Sequence, residues 1–283
     1  MSLAAVLDAA TDDTLLAIAI ALPTPTDLLR LALTCRAAAQ RFYFTTTNYS
    51  SGGTAAAAAT AGAPDLWSLV EEAACRWIAD CTDQEQGWVP RRGRESWLGL
   101  MWEVESLRRG AVFGRSHRTI TLSAGGSVAT RRSAFDATTR GAASRLAMRA
   151  GRHYVQSTAL SGKSMHFGVI CPGWRVEGGK DAQYVDGHCF YFTFSGHRYP
   201  GRNDWKGMQS TREVGDRIGM LLDLDQGTMT VYKNDERLGV MATGLSGEYS
   251  WAVTIVFKRD SVRIEAAEAP ASPTADELAR ARA

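Results

Sequence analysis

Leucine and alanine recur at intervals of three and four over residues 12–44, with a break at Leu22-Pro23-Thr24-Pro25. This periodicity predicts two short helices, the second capped by Thr26 or Asp27. The second helix is apolar on nearly all sides up to Arg36. Packing against the first helix would cover only one of those sides, so we expect a further partner in the same chain or outside it.

Helical periodicity returns within residues 65–110. Trp67 and Trp77 lie on a first apolar stripe and Trp97 begins a second, with a polar connector at residues 82–94 between them. The pattern predicts a helical hairpin. We expect its tryptophans to be packing anchors rather than parts of a cofactor site.

Two segments have little to bury. Residues 45–64 combine threonine, serine, glycine and an alanine run, which predicts a flexible linker, and residues 269–283 predict a disordered tail. The expected organisation is therefore a helical segment at 1–44, a linker at 45–64, a helical hairpin at 65–110, a β domain at 111–268 and a tail at 269–283.

After residue 110 the pattern changes to short runs rich in valine, isoleucine, threonine, tyrosine and phenylalanine, separated by glycine-rich turns. The runs lie at residues 119–122, 165–170, 189–194, 218–223, 228–232, 249–257 and 262–265. Many short strands with no clear helix between them predict an antiparallel sandwich or barrel. The fold class expected is mainly β, an antiparallel β-sandwich preceded by an α-helical N-terminal region.

Residues 214–239, VGDRIGMLLDLDQGTMTVYKNDERLG, predict a strand, a hairpin turn with Gly227 at positive φ, a second strand, and another turn at Asn234-Asp235. This stretch resembles the central signature of SPRY domains. Gly151-Arg152-His153-Tyr154 resembles the family's entry strand, although Val155 stands where tryptophan is usual. His166-Phe167-Gly168-Val169 and residues 250–254 resemble later core strands.

The resemblance covers about half of the chain. It implies a non-catalytic β-sandwich whose loops bind a protein or peptide partner. Two long loops, at residues 172–187 and 195–213, carry the tryptophan, tyrosine and arginine residues that dominate interface energetics. The candidate partner-binding residues are Trp174, Arg175, Tyr184, Tyr199, Arg202, Trp205, Phe257 and Lys258. The alternative for Trp174 and Trp205 is burial beneath their own loops.

Leu15-Leu16, followed by PTDLLRLALTCR at residues 25–36, resembles an F-box. The opening Leu-Pro is absent before Leu15, and the tryptophan expected after the Cys-Arg pair is missing, with Ala38 near its place. The resemblance implies docking on a Skp-type adaptor of a cullin-type ubiquitin ligase. The implied adaptor-binding residues are Leu15, Leu16, Leu28, Leu29, Leu31, Leu33 and Cys35. The alternative is a helical hairpin folded onto Trp67 and Trp77.

Composition narrows the function classes. The net charge is +2, so no global field favours nucleic acid or an anionic membrane. The five cysteines contain no Cys-x-x-Cys pair, which favours reduced thiols over a zinc site. Residues 15–22 are too short to span a membrane, and Asp12 and Asp13 precede them where a signal peptide would carry basic residues. We therefore expect a cytoplasmic or nuclear protein.

Motifs for catalysis are incomplete. Gly162-Lys163-Ser164 resembles the end of a phosphate-binding loop, but Ser157 replaces the first glycine. Asp223 and Asp225 lack the further acidic ligands of a calcium loop and are interpreted as turn residues. His166 is expected to be a packed or hydrogen-bonded sheet residue. We expect no enzyme activity, metal or cofactor, although a catalytic triad of distant residues stays open.

Two hypotheses lead. The chain is either a substrate receptor of a cullin-type ubiquitin ligase or a stand-alone SPRY protein-binding module with no role in ubiquitination.

Overall fold

The computed structural model describes residues 12–34, 41–43, 66–109, 111–132, 139–178, 181–211 and 213–268. These residues form two compact units. The helical unit comprises described residues up to 86 together with 91–105, and the β unit comprises residues 87–90 and the described residues from 106 onward. The predicted linker at 45–64 and the predicted tail at 269–283 both lie outside the described residues.

The helical unit is built from short helices and one two-stranded ribbon. Its elements are α1 (Asp12–Ile20), α2 (Pro25–Thr34), β1 (Arg41–Tyr43), β2 (Leu66–Ser68), α3 (Leu69–Ala79), α4 (Asp83–Trp88) and α5 (Trp97–Arg108), the last two ending in the β unit. Both α1 and α2 lie beside α3. None of the helices described is long and apolar enough to span a bilayer.

The cap of α2 differs from the prediction. The Thr24 hydroxyl accepts a hydrogen bond from the Asp27 N–H at 3.2 Å and donates to the Asp27 carboxylate at 2.6 Å. Pro25 is therefore the first helical residue, a position that suits its fixed φ and its missing N–H. The expectation of a cap at Thr26 or Asp27 was wrong because the helix begins earlier.

Two further predictions in this unit were wrong. Residues 41–43 are not helical, because they pair antiparallel with residues 66–68 through contacts that no local periodicity reveals. The predicted polar connector at residues 82–94 contains the helix α4, whose N-terminus is stabilised by a reciprocal capping box. The Glu85 N–H donates to the Thr82 hydroxyl at 3.3 Å, and the Thr82 N–H donates to the Glu85 carboxylate at 3.0 Å.

The β unit consists of two antiparallel sheets. The six-stranded sheet has the order β10-β9-β8-β14-β6-β3, and the seven-stranded sheet has the order β13-β12-β11-β7-β15-β5-β4. The strands are β3 (Phe113–Ser116), β4 (Ile120–Ser123), β5 (Val128–Arg131), β6 (Arg140–Ser144), β7 (Arg152–Ser161), β8 (Met165–Ile170), β9 (Cys189–Phe192), β10 (Arg198–Tyr199), β11 (Arg217–Asp223), β12 (Thr228–Lys233), β13 (Glu236–Thr243), β14 (Ser250–Ile255) and β15 (Ser261–Ala266).

The main core lies between the sheets and takes alternate residues from both. Phe167 on β8, Trp251 on β14 and Met220 on β11 are among its buried side chains. The predicted fold class, an antiparallel β-sandwich preceded by helices, is confirmed.

The hairpin predicted within residues 214–239 is also confirmed. The Asp223 carboxylate accepts hydrogen bonds from the N–H groups of Asp225 and Gln226 at 3.1 and 2.9 Å, so it organises the turn between β11 and β12. Asn234 and Asp235 have φ of +50° and +71°, as the tight turn into β13 requires. These residues are scaffold, and β13 begins slightly earlier than predicted, at Glu236.

Candidate functional site

The outer face of the six-stranded sheet carries a second apolar cluster. The segment after β8 folds back over this face, and its short 3₁₀ turn at Ala182–Tyr184 contributes the buried Ala182. The cluster also contains Ala143, Ile170, Phe190, Tyr199 and Ala252, with Trp174, Val176 and Phe192 packed against it. The sheet therefore has apolar contacts on both faces.

Trp174 is half-buried on this outer face. A Cβ at Gly141 of β6 would come within 2.6 Å of the Trp174 ring, so the small residue leaves room for the indole. The ring also meets His188 edge-on at 6.3 Å. Trp174 is thus partly packed on the sheet, while Arg175 beside it is exposed.

An aromatic strip runs along the β9–β10 edge of the sheet, and we define it as Tyr184, Tyr199, Phe192 and Phe194. Tyr184 meets Tyr199 at 5.8 Å, Tyr199 meets Phe192 at 5.9 Å, and Phe192 meets Phe194 at 6.1 Å between ring centroids. Tyr184 is 48% and Phe194 44% exposed, whereas Tyr199 is buried. The strip therefore presents two exposed rings on a base of packed ones.

His166 on β8 holds the centre of the strip. Its ring stacks on Phe192 at 4.3 Å and meets Tyr199 edge-on at 5.0 Å. Its Nδ1 shares a hydrogen bond of 3.0 Å with the Thr254 hydroxyl. Burial lowers the pKa of His166 to about 3, so the ring is neutral at physiological pH. His166 is thus a packed, hydrogen-bonded sheet residue, as predicted.

One end of the strip opens into a pocket of about 600 Å³, here called the phenylalanine pocket. It lies where the β7–β8 turn, the end of β9 and the β14–β15 loop meet. Its lining residues are Gly162, Lys163, Ser164, Phe192, Phe194, Phe257 and Asp260. Phe257 is 57% exposed, so a large part of its ring is open to a ligand.

Asp260 supplies the pocket with a buried carboxylate. Only 7% of the residue is exposed, and burial raises its pKa to about 6, against the opposing effect of the Arg131 guanidinium. Arg131 is itself buried and donates to the carbonyls of Ile255 and Val256, both at 2.6 Å, which holds the β14–β15 loop in place. A Cβ at Gly162 would overlap the Asp260 carboxylate. The sequence Gly162-Lys163-Ser164 is therefore the wall of this pocket.

The remaining partner-binding candidates separate into exposed and packed residues. Arg202 and Lys258 are exposed. Trp205 is half-buried against the main core, and its indole N–H donates to the Gly196 carbonyl at 2.7 Å. Trp205 and the buried Tyr199 thus support the loops, and we leave both out of the exposed binding surface.

Of the pocket's lining residues, sequence reasoning named Phe257 for binding and missed six: Gly162, Lys163, Ser164, Phe192, Phe194 and Asp260. For the two phenylalanines a signal existed, because the alternation in Cys189-Phe190-Tyr191-Phe192 puts Phe190 and Phe192 on one face. For Asp260 there was no such signal, since its burial depends on a loop from elsewhere in the chain.

The predicted adaptor-binding residues also divide into buried and exposed side chains. Leu15, Leu28 and Leu31 are buried in the helical unit, whereas Leu29 and Leu33 are 45% and 78% exposed. Leu16 is half-buried, and Cys35 lies outside the described residues. The buried leucines fit the alternative of helices folded onto α3, the helix that carries Trp77.

Among the described residues, no group of three or more histidine, cysteine, aspartate or glutamate side chains is placed to hold a metal ion. No protein-family model matches the chain, and no curated protein matches it significantly.

Solved SPRY domains are similar to the C-terminal part of the chain. The SPRY domain of human HERC1 is 14% identical at a TM-score of 0.45, covering 54% of this chain and 96% of that one. The TRIM65 PSpry domain is 18% identical at 0.43, covering 55% and 89%, and a human SPRY domain is 18% identical at 0.40, covering 54% and 98%. The sandwich itself is established by its two sheets.

Proposed function

We propose that the β unit is a non-catalytic protein-interaction module that binds a peptide segment of a partner along the aromatic strip and into the phenylalanine pocket. The observation that carries this proposal is the continuity of the two features. Exposed Tyr184 and Phe194 lead into a pocket walled by Phe192 and Phe257. Phe192 is the last residue of β9, Phe194 and Phe257 follow the ends of β9 and β14 by two residues, and Tyr184 lies in the 3₁₀ turn. Exposed aromatic groups on a rigid support are typical of interface anchors.

A peptide-library screen on the full chain tests the proposal. Tyr184→Ala and Phe257→Ala are each expected to weaken binding by about 2 kcal/mol, or roughly thirtyfold in Kd, because each removes an exposed aromatic anchor. Val214→Ala is the matched control, since Val214 is 60% exposed and lies outside the strip and the pocket. Unchanged binding in both aromatic variants would retire the proposed surface.

The finer hypothesis is that the helical unit brings the captured partner to a cullin-type ubiquitin ligase through a Skp-type adaptor. Leu29 and Leu33 support it, because they lie four residues apart on α2 and expose one apolar stripe. Leu29→Asp and Leu33→Asp should abolish binding of a recombinant Skp adaptor. Trp102→Asp, at an exposed apolar position of α5, should not. Adaptor binding that survives both leucine variants, or none by the wild type at micromolar concentration, favours the stand-alone module.

A further inference from the structure

One oxygen of the Asp260 carboxylate lacks a donor, although the carboxylate has a backbone hydrogen bond from Phe257. Its Oδ2 is buried, and none of the described residues gives it a hydrogen bond. With a pKa of about 6 the group is mostly ionised at neutral pH. A buried carboxylate oxygen without a donor is costly, and a ligand that supplied an N–H group to Oδ2 would relieve that cost.

The walls of the same pocket suit an organic cation. Phe192, Phe194 and Phe257 line it together with Asp260. The faces of aromatic rings attract cations, and the alkyl part of a lysine or arginine side chain packs well on apolar surface. An aliphatic side chain would use the rings but would leave Oδ2 of Asp260 without a donor.

Lys163 also lines the pocket, and its positive charge opposes the attraction of a cation to Asp260. It is exposed, however, whereas Asp260 is buried. A charge surrounded by water acts weakly on a ligand, and a buried charge in a low-dielectric site acts strongly. Among the lining residues the electrostatic preference of the interior is therefore set by Asp260, and the buried Arg131 guanidinium, which lies outside the lining, partly offsets it.

We propose that the phenylalanine pocket takes a lysine or arginine side chain of the partner peptide, with Asp260 as its anionic anchor and the three phenylalanine rings as its walls. This inference rests on the proposed function of the β unit as a peptide-binding module.

The test compares four immobilised heptapeptide libraries on the full chain. The central residue is arginine, lysine, norleucine or glutamate, and the other positions vary over uncharged residues. We expect the two basic libraries to bind about tenfold more tightly than the norleucine library, the factor typical of a charge-assisted hydrogen bond. Asp260→Asn, which keeps the shape of the side chain, should abolish this preference.

Two further variants keep the result interpretable. Glu248→Gln is the control, because it removes an exposed carboxylate on the chain before β14, whereas Asp260 lies after β14. This variant should retain the preference for the basic libraries. Lys163→Ala should tighten binding of the basic libraries because it removes a like charge from the pocket, an effect that misfolding cannot produce.

The outcomes separate the inference from the function beneath it. Equal binding of arginine and norleucine libraries, a preference for glutamate, or a basic preference that survives Asp260→Asn would overturn the inference. If the wild type binds peptides in any of these three cases and Phe257→Ala abolishes that binding, the peptide-binding function stands. No binding of any library would overturn both.

Discussion

The neutral, buried state of His166 makes the stability of the β unit depend on pH. The residue is 4% exposed, and burial lowers its pKa from 6.5 to about 3. In the unfolded chain the imidazole binds a proton near pH 6.5, whereas the native protein stays neutral until far lower pH. The unfolded state thus binds more protons between these values. The stabilisation is complete above pH 6.5 and is lost as the pH falls toward 3.

The size of the effect follows from the same two values. At pH 5 the solution is about 1.5 pH units below the pKa of His166 in the unfolded chain. Proton binding therefore stabilises the unfolded state at pH 5, relative to pH 7, by about 2 kcal/mol for this one residue. His153, whose pKa burial lowers to about 4, has an effect of the same sign. Asp260 acts in the opposite direction because its pKa is raised. The contribution of His166 is therefore isolated by comparing variants.

The assay is guanidinium unfolding of the full chain at pH 7 and pH 5, followed by tryptophan fluorescence. The free energy of unfolding should fall by about 2 kcal/mol less in His166→Gln than in the wild type, because the glutamine does not titrate. Tyr191→Phe is the control: it also destabilises this sheet, but burial raises the tyrosine pKa to about 12, far from the range tested. An undiminished pH effect in His166→Gln would refute the reasoning.

Three further predictions concern the packing of this sheet. Gly168→Ala should destabilise by roughly 3 kcal/mol in chemical denaturation, because the added Cβ would overlap the Cys189 carbonyl, whereas Gly178→Ala, in open space, should change little. Tyr191→Phe should cost about 1 kcal/mol by the same measurement, since its hydroxyl donates to the Gln209 carbonyl; a neutral change would contradict that bond. Burial raises the pKa of the Cys189 thiol to about 12, so iodoacetamide at pH 8 should label it only after unfolding, as peptide mass spectrometry would show.

Local patterns in the sequence predicted a large part of the β unit. The hairpin from β11 to β13 was predicted nearly residue by residue, because strand alternation and positive-φ turn residues such as Gly227 and Asn234 act within a few residues. Tyr184 and Phe257 were also named as candidates, from the resemblance to SPRY domains and their order along the chain. Whether each ring is exposed was not readable, and Tyr199 and Trp205 proved to be packed.

The sequence alone determined the change from helices to core strands along the chain, the confirmed turns, and the supply of aromatic residues in the loops. Tertiary structure decided which of these residues form a site. The phenylalanine pocket exists only because three separate connections meet at one end of the sandwich, and Gly162 leaves the room that the buried Asp260 carboxylate occupies. The burial and the pKa of a side chain depend on residues that are distant in the chain. Periodicity reports only on residues that are close in the chain, so it cannot predict either property.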